Sequence, residues 1–437
     1  MQLPQDFVCV IQEQYGTDTA DSLCHALLET EPEVSVRLNP RKGKPLIIDP
    51  AIHTEPVPWC PDAYYLSERP AFTFDPLLHA GAYYVQEASS MYIAELLRRY
   101  LNQDSRFKFR DSISQQPTLN SQLSTLNSQG NVVALDLCAA PGGKSTLLAG
   151  LLPEGSVLVC NEPIAKRAQI LSENMQKWTR VAEGEYPVRC YVTQRYPIDF
   201  AGFTDFFDLL VADVPCSGEG MFRKDEVAIR EWSMQNVENC WQRQREIMQD
   251  IWHVLKPGGL LIYSTCTFNH FEDEDNARWI CDTLGGELLE ERHFLPGRDR
   301  GEGFYCTAIR KNPTACGSGN GIFNSNFNFQ NSKTEIQDSS TLNLFSLPTG
   351  EGRGGTSPSF PRIELSYNEA LQYLRREAIR VPAPRGMVLL CYQGYILGPG
   401  RCVGNRINNL YPEQWRIRTT YTTPFSIGAG SKVQENS

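Results

Sequence analysis

Val132-Val-Ala-Leu-Asp-Leu-Cys-Ala-Ala-Pro-Gly-Gly-Lys-Ser145 is the stretch on which the fold of this chain turns. An apolar run of strand length, Val132 to Leu137, breaks into small residues and two glycines before helical spacing begins. Such a turn lets the backbone approach a ligand closely, and a helix opening there presents free N–H groups. It is neither a G-x-G-x-x-G loop nor a P-loop, because only Gly142 and Gly143 are available. Outward from this turn the chain alternates. Strand-like runs fall at Ser156 to Cys160, Val188 to Val192, Phe207 to Ala212 and Gly259 to Tyr263. Ser89 to Tyr100 is helical, and Ile164 to Trp178 has helical spacing that puts Ile164, Ala168, Leu171 and Met175 on one face. A longer helix is expected from Val237 to Leu255, stopped by Lys256-Pro-Gly-Gly259. Alternation of this kind predicts an α/β fold with a mostly parallel sheet, and a ligand site at the carboxyl ends of its strands.

Those strand ends carry the chemistry. The second reads Cys160-Asn-Glu-Pro163, and an acid about 20 residues after a glycine turn suits ribose hydroxyls. Turn and Glu162 together suggest an adenosine-containing cofactor without saying which. The fourth ends Val211-Ala-Asp-Val-Pro-Cys-Ser-Gly-Glu-Gly220 and the fifth Tyr263-Ser-Thr-Cys-Thr267. Neighbouring strands lie about 5 Å apart, so Asp213, Cys216 and Cys266 can face one pocket. Two thiols with no further metal-type ligand at hand argue against zinc, and no metal is expected. Thiol nucleophile chemistry remains, or two buried cysteines side by side by coincidence.

The rest of the composition sets bounds. The chain has 437 residues, enough for two or three domains, and no apolar run long enough to span a membrane. Its first residues do not read as a secretory signal, so a cytoplasmic protein without membrane contact is expected. The 14 cysteines include no C-x-x-C pair, and outside Cys138, Cys216 and Cys266 most are expected to be reduced and buried. Net charge is −10, yet from Arg362 to Lys432 about ten basic residues face four acidic ones, which permits nucleic-acid binding there. Two segments of low complexity, 111–131 and 312–359, read as loop or linker.

Asp136 to Lys144, Asp213 to Gly220 and Ser264-Thr-Cys-Thr267 together closely resemble the NOL/NOP2/Sun (NOL1/NOP2/Sun) family of RNA 5-methylcytosine methyltransferases. Tyr84-Val-Gln-Glu-Ala-Ser-Ser-Met91 resembles that family's upstream motif and Gly301-Glu-Gly-Phe304 its closing strand. The tail from Gly404 to Arg418 is similar to the C-terminal module of the bacterial RsmF-type enzymes that modify ribosomal RNA. The resemblance implies a Rossmann-like class I methyltransferase core with a mostly parallel seven-stranded sheet. It implies a small N-terminal α+β RNA-binding region and a C-terminal PUA-like RNA-binding domain. The expected division is 1–80, 81–310 (with insertion 111–131), a linker over 311–360, and 361–437.

Its further implications concern the reaction. Carbon 5 of cytosine is a poor nucleophile until a thiolate adds to carbon 6, which makes carbon 5 enamine-like. By resemblance Cys266 is that thiol, Cys216 helps release the methylated RNA, and Asp213 hydrogen-bonds the base edge. Lys144 is placed to favour the thiolate. S-adenosylmethionine is the implied cofactor, held by Cys138, Ala139, Ala140, Pro141, Gly142, Gly143 and Lys144, by Glu162, and by Asp213 near the methyl group. The family's usual acid after the third strand is missing from Val192-Thr-Gln-Arg-Tyr-Pro-Ile-Asp199, where Arg195 or Tyr196 takes its place and Tyr196 offers a ring to stack on adenine. RNA is the implied partner of a monomeric enzyme, through the basic segment Val34 to Lys44 and through Arg401, Arg406, Arg416 and Arg418 interleaved with Tyr411 and Trp415. The expected substrate is 16S ribosomal RNA. A transfer RNA substrate, a non-catalytic ribosome-assembly factor, and a DNA cytosine methyltransferase with its nucleophile at Cys216 stand as alternatives.

Overall fold

A computed structural model describes residues 2–42, 52–101, 131–181, 186–313 and 360–419, together with the backbone of 337–338. The chain opens with helices α1 (Gln5–Tyr15) and α2 (Thr17–Glu29) and a sheet of β1 (Val34–Leu38), β2 (Thr54–Pro56), β3 (Ala63–Leu66) and β4 (Tyr83–Val85), in the order β2-β3-β1-β4. The short α3 (Pro76–His79) precedes β4, and α4 (Ile93–Tyr100) leads into the central domain.

There β5 (Val133–Asp136), α5 (Gly143–Leu151), β6 (Val157–Asn161), α6 (Ala165–Thr179), β7 (Arg189–Thr193) and β8 (Phe207–Asp213) alternate as the spacing predicts. After α7 (Glu226–Glu231) and α8 (Met234–Ile251) come β9 (Leu255–Thr265), α9 (Glu274–Leu284), β10 (Gly286–Phe294) and β11 (Phe304–Lys311). The strand order is β10-β11-β9-β8-β5-β6-β7-β12, where β12 is the two-residue Gln337–Asp338. The five strands β5 to β9 run parallel, and β10, β11 and β12 are antiparallel additions. The expected seven strands are thus present, with β12 as an eighth on the edge. It comes from the segment expected to be linker. Insertion 111–130 and most of 312–359 lie outside the described residues.

Alternation along the strands sorts the core. Ala134, Leu158, Leu209, Val211, Leu260 and Ile262 face α4, α5 and α6. Leu135, Val159, Leu210, Ala212, Leu261 and Tyr263 face α8 and α9. Successive side chains of a strand point to opposite faces, so near-continuous apolar runs are what a two-sided parallel sheet needs.

Two expectations are corrected here. The long helix ends at Ile251, and Lys256-Pro-Gly-Gly259 belongs to β9. Pairing with β8 jumps from Phe207–Leu255 to Leu209–Leu260, so these residues form a bulge, with Gly258 at φ +77°. Ile164, expected on the buried face of α6, is exposed, because the helix begins one residue later. Cys9 is exposed, and among the described residues six of the ten thiols outside the strand-end trio are buried.

The last unit comprises β13 (Arg362–Glu364), α10 (Tyr367–Leu374), β14 (Gly386–Tyr392), β15 (Tyr395–Cys402) and β16 (Ile407–Asn409), paired in that strand order. Ser366 and Glu369 close a capping box on α10. Its core is shared. Leu371, Tyr373, Leu390, Leu397, Tyr411 and Trp415 pack with Val36, Phe74, Leu77 and Tyr83 of the N-terminal sheet and α3. Helices α1 and α2 dock elsewhere, burying Phe7, Ile11 and Leu23 against Phe222, Trp232, Phe268 and Leu295. The N-terminal segment therefore braces the tail on one side and the loops after β8 and β9 on the other. Among the described residues no helix is long and apolar enough to cross a membrane.

Candidate active site

The turn after β5 is fixed from outside. Ala139 N donates to Asn161 O at 2.8 Å, Arg167 Nη2 to Ala140 O at 3.1 Å, and Asn174 Nδ2 to Pro141 O at 2.8 Å. Gly142 takes φ +115°, a conformation L side chains rarely adopt, and α5 starts at the next residue. Beneath the turn, buried Asp136 accepts from Ser145 Oγ through Oδ2 at 2.6 Å, while its Oδ1 is buried with no hydrogen-bond partner. Burial pushes this carboxyl up to about 7, against the pull of Ser145 and Lys144. Glu162 follows β6 with 1% of its surface exposed, its Oε1 held by Ile164 N at 3.0 Å and its Oε2 3.4 Å from Arg167.

Asn161, which the sequence did not single out, ties three strand ends together. Its amide donates to Leu137 O (3.0 Å) and Arg195 O (2.9 Å), and its Oδ1 accepts from Thr193 Oγ1 (2.9 Å) and Arg195 N (3.0 Å). Beyond it the rim is open. Tyr196 is 64% exposed, beside exposed Ile164 and Ile198. Asp199 spends Oδ2 on Tyr196 N at 2.9 Å, capping the following turn.

On the other side of β5 the thiols meet. The β8–β9 register pairs Asp213 with Ser264, and Ser264 Oγ donates to Asp213 Oδ1 at 2.7 Å. Cys216 and Cys266, both half-buried free thiols, lie with Sγ atoms 3.0 Å apart. Their hydrogen bond, with burial, pushes the Cys216 thiol well above its ordinary value. Burial and then the charge of Asp213 push Cys138 up as well. Lys144 puts Nζ 2.7 Å from Asp213 Oδ2. Burial alone would lower its ammonium, but the charge and bond of Asp213 raise it, and Cys266 adds to that. Lys144, Asp213, Cys216 and Cys266 therefore form one cluster across the ends of β5, β8 and β9.

Gly220 explains part of its motif. Its N donates to Cys266 O at 2.7 Å, and a Cβ there would lie 2.7 Å from Cys266 O and 2.9 Å from Gly303 O. Three fully or nearly fully buried acids, Glu219, Glu272 and Asp273, stand behind the thiols, and sequence reasoning missed them. Glu219 accepts from Phe268 N (2.7 Å), Asn269 Nδ2 (2.9 Å) and Trp232 Nε1 (3.0 Å). Burial and the charge of Glu272 nonetheless push it up to about 7.

The basic residues expected to meet RNA divide. Arg37 is buried, donating to Gln86 Oε1 (3.0 Å) and Thr146 Oγ1 (2.7 Å) with its guanidinium 4.6 Å from the Trp178 ring centre. Arg41 donates to Gly150 O and Leu152 O, and Lys42 to Lys177 O and Arg180 O, so both satisfy the free carbonyls at the ends of α5 and α6. Lys44 lies outside the described residues. In the tail Tyr411 and Trp415 are core side chains, so neither ring is available to a base. Arg401, Arg406, Arg416 and Arg418 remain exposed.

Three family models match the chain. The model of the 16S rRNA methyltransferase RsmB/F covers residues 123–289, that of the N-terminal domain of 16S rRNA methyltransferase RsmF covers 3–88, and that of the methyltransferase RsmF PUA domain covers 360–417. The ribosomal RNA small subunit methyltransferase F of Aliivibrio fischeri is 26% identical, over 94% of this chain and 97% of its own length. Its namesake from Pectobacterium atrosepticum is 33% identical, over 59% of this chain and 51% of its own. Among solved structures, a methyltransferase homolog protein from Pyrococcus horikoshii superposes with a TM-score of 0.54 at 22% identity, over 70% of this chain and 95% of that one. NSun6 from the same organism gives 0.52 at 16% identity, over 70% and 98%. These two share the fold. With the three models matching in order along a chain whose core and tail have the corresponding architecture, the chain belongs to the RsmB/F family of methyltransferases and carries the N-terminal and PUA domains of the RsmF type.

Proposed function

We propose that this protein methylates carbon 5 of a cytosine in small-subunit (16S) ribosomal RNA, with S-adenosylmethionine as methyl donor and Cys266 as nucleophile. The observation that carries the proposal is the 3.0 Å approach of the Cys216 and Cys266 thiols beside the Lys144–Asp213 pair. The family's methyltransferase character and the rRNA named in its relatives support the substrate class.

The crevice suits the donor. Asp136 Oδ1 is a buried acceptor lacking a donor, and such a group costs free energy until one arrives. The cofactor's ammonium would supply it, with Cys138 to Lys144 lining the turn and Glu162 beside the ribose. When bound, S-adenosylmethionine supplies an electrophilic methyl group on sulfonium. The protein's own residues do the rest. Cys266 as thiolate adds to carbon 6 of an unpaired or flipped cytosine, leaving carbon 5 electron-rich. Cys216 stays a thiol, because its bond to Cys266 and its burial oppose ionisation. Once carbon 5 carries the methyl group its proton must leave to a base as the bond from carbon 6 to Cys266 breaks, and Cys216, 3.0 Å from that sulfur, is placed to assist this release. Asp213, held by Lys144 and Ser264, hydrogen-bonds the base edge through what remains of its acceptor capacity. The exposed arginines of the C-terminal unit contact phosphates.

Cys266→Ala is expected to abolish methyl transfer to ribosomal RNA, and Cys216→Ala to leave protein joined covalently to RNA. Retained transfer by the Cys266 variant would rule out the assignment.

A further inference from the structure

Beyond the pair Asp213–Ser264 the β8–β9 ladder ends, so it does not fix the loops that carry the two thiols. Two consecutive buried acids ahead of α9 take over. The Glu272 carboxylate accepts from Ser217 N (3.0 Å), Ser217 Oγ, Asn269 Nδ2 (2.9 Å) and Gln244 Nε2 (2.8 Å). The same Gln244 amide reaches Pro215 O at 3.0 Å. Residues 215 and 217 flank Cys216, so both neighbours of that thiol are held by Glu272 or by its amide partner. Asp273 Oδ1 accepts from the hydroxyls of Thr265 and, at 3.0 Å, Thr267. Those are the two neighbours of Cys266. Neither hydrogen-bond set includes a sulfur.

We propose that Glu272 and Asp273 are the positioning residues of the two-thiol centre, Glu272 governing Cys216 and Asp273 governing Cys266. Their adjacency in the chain then sets the separation of the sulfurs. The assignment of steps rests on the function proposed above. Both Glu272 oxygens accept hydrogen bonds, whereas Asp273 takes both hydroxyls on Oδ1 and leaves Oδ2 buried with no hydrogen-bond partner among the described residues. Either oxygen of a carboxyl can accept from a donor, which the NH2 of an amide cannot. A Gln at 272 turns an N–H toward a donor and releases the loop; an Asn at 273 must either do the same or bury its NH2 on the Oδ2 side, where no hydrogen-bond partner stands.

The test uses the full chain with deproteinised small-subunit ribosomal RNA. Glu272→Gln should form the covalent RNA adduct at a rate within about twofold of wild type yet accumulate it about tenfold, the signature of slowed release. Asp273→Asn should slow adduct formation about tenfold without accumulation. Ser217→Ala removes one donor with little risk to folding and should show a weaker form of the Glu272→Gln pattern. Equal slowing of both steps in both acid variants, or no change in either, overturns the proposal. A second readout needs no RNA: diamide takes two electrons and two protons from neighbouring thiols, becoming a hydrazine as a disulfide forms. Joining of Cys216 to Cys266, followed by mass spectrometry, should slow in both acid variants. Should Cys266→Ala retain methyl transfer, the functional reading fails while this joining rate still judges the positioning role, and an unchanged rate overturns it.

Discussion

Around Cys216 and Cys266 the chain is tied to buried acids and to a close glycine contact, whereas beyond β6 and β7 Ile164, Tyr196 and Ile198 face solvent. The two regions flank the same strand, β5, yet they answer to different demands. A thiol that must meet one carbon of a base has to be placed within a fraction of an ångström. Low-dielectric hydrogen bonds supply that precision. On the proposed function the rim beyond β6 and β7 would meet adenine, which needs only a surface of suitable shape, and Asn161 secures these strand ends largely through backbone groups. Tolerance to substitution should therefore be low on one side and high on the other.

Gly220→Ala attacks the precise side at its tightest contact. The new methyl would meet the Cys266 and Gly303 carbonyls, and a shift of Cys266 is expected to lower kcat about a hundredfold with cofactor affinity unchanged. Steady-state kinetics with a separate cofactor titration read this out, and normal turnover would show that the close approach is not needed. Asp136→Asn lies between the regions. Losing a charged acceptor should weaken S-adenosylmethionine binding by about 2 kcal/mol, roughly thirtyfold, measurable by calorimetry. Tyr196→Ala belongs to the tolerant side, and its effect on cofactor affinity should stay within about threefold, below about 0.7 kcal/mol. A larger loss would mean that the exposed ring closes on adenine after all.

The smallest effect is one of pH. Burial and Glu272 raise Glu219 from 4.5 in the unfolded chain to about 7 in the folded protein, so the folded state holds a proton that the unfolded state has lost between those values. That contribution is fully present below about 4.5 and is lost as pH rises through about 7. Glu219→Gln should flatten the corresponding fall in Tm between those values, and an unchanged slope would contradict it.

The strand-end motifs were legible because their chemistry is local. A glycine turn after β5, an acid after β6 and thiols after β8 and β9 announce themselves in a few residues each, and parallel pairing does the rest. What was illegible depends on packing. Arg37, Arg41 and Lys42 read as an RNA-binding cluster, but the folded chain uses them on Gln86 and Thr146 and on the last carbonyls of α5 and α6. Tyr411 and Trp415 read as stacking rings until the N-terminal sheet covers them. Glu272 and Asp273 sit in an acidic run, Glu272-Asp-Glu-Asp275, that resembles a solvated helix start; only the fold turns its first two members inward. The bulge at Lys256 to Gly259 escaped for the same reason, since a turn-forming sequence fits either a helix stop or an irregular strand.

The central claim is the division of labour between the two thiols, and mapping the covalent adduct tests it most directly. Cys216→Ala protein incubated with ribosomal RNA and S-adenosylmethionine, digested and sequenced by mass spectrometry, should carry a modified cytidine on the peptide containing Cys266. A cytidine attached to any other residue, or no adduct while methyl transfer continues, would contradict the account.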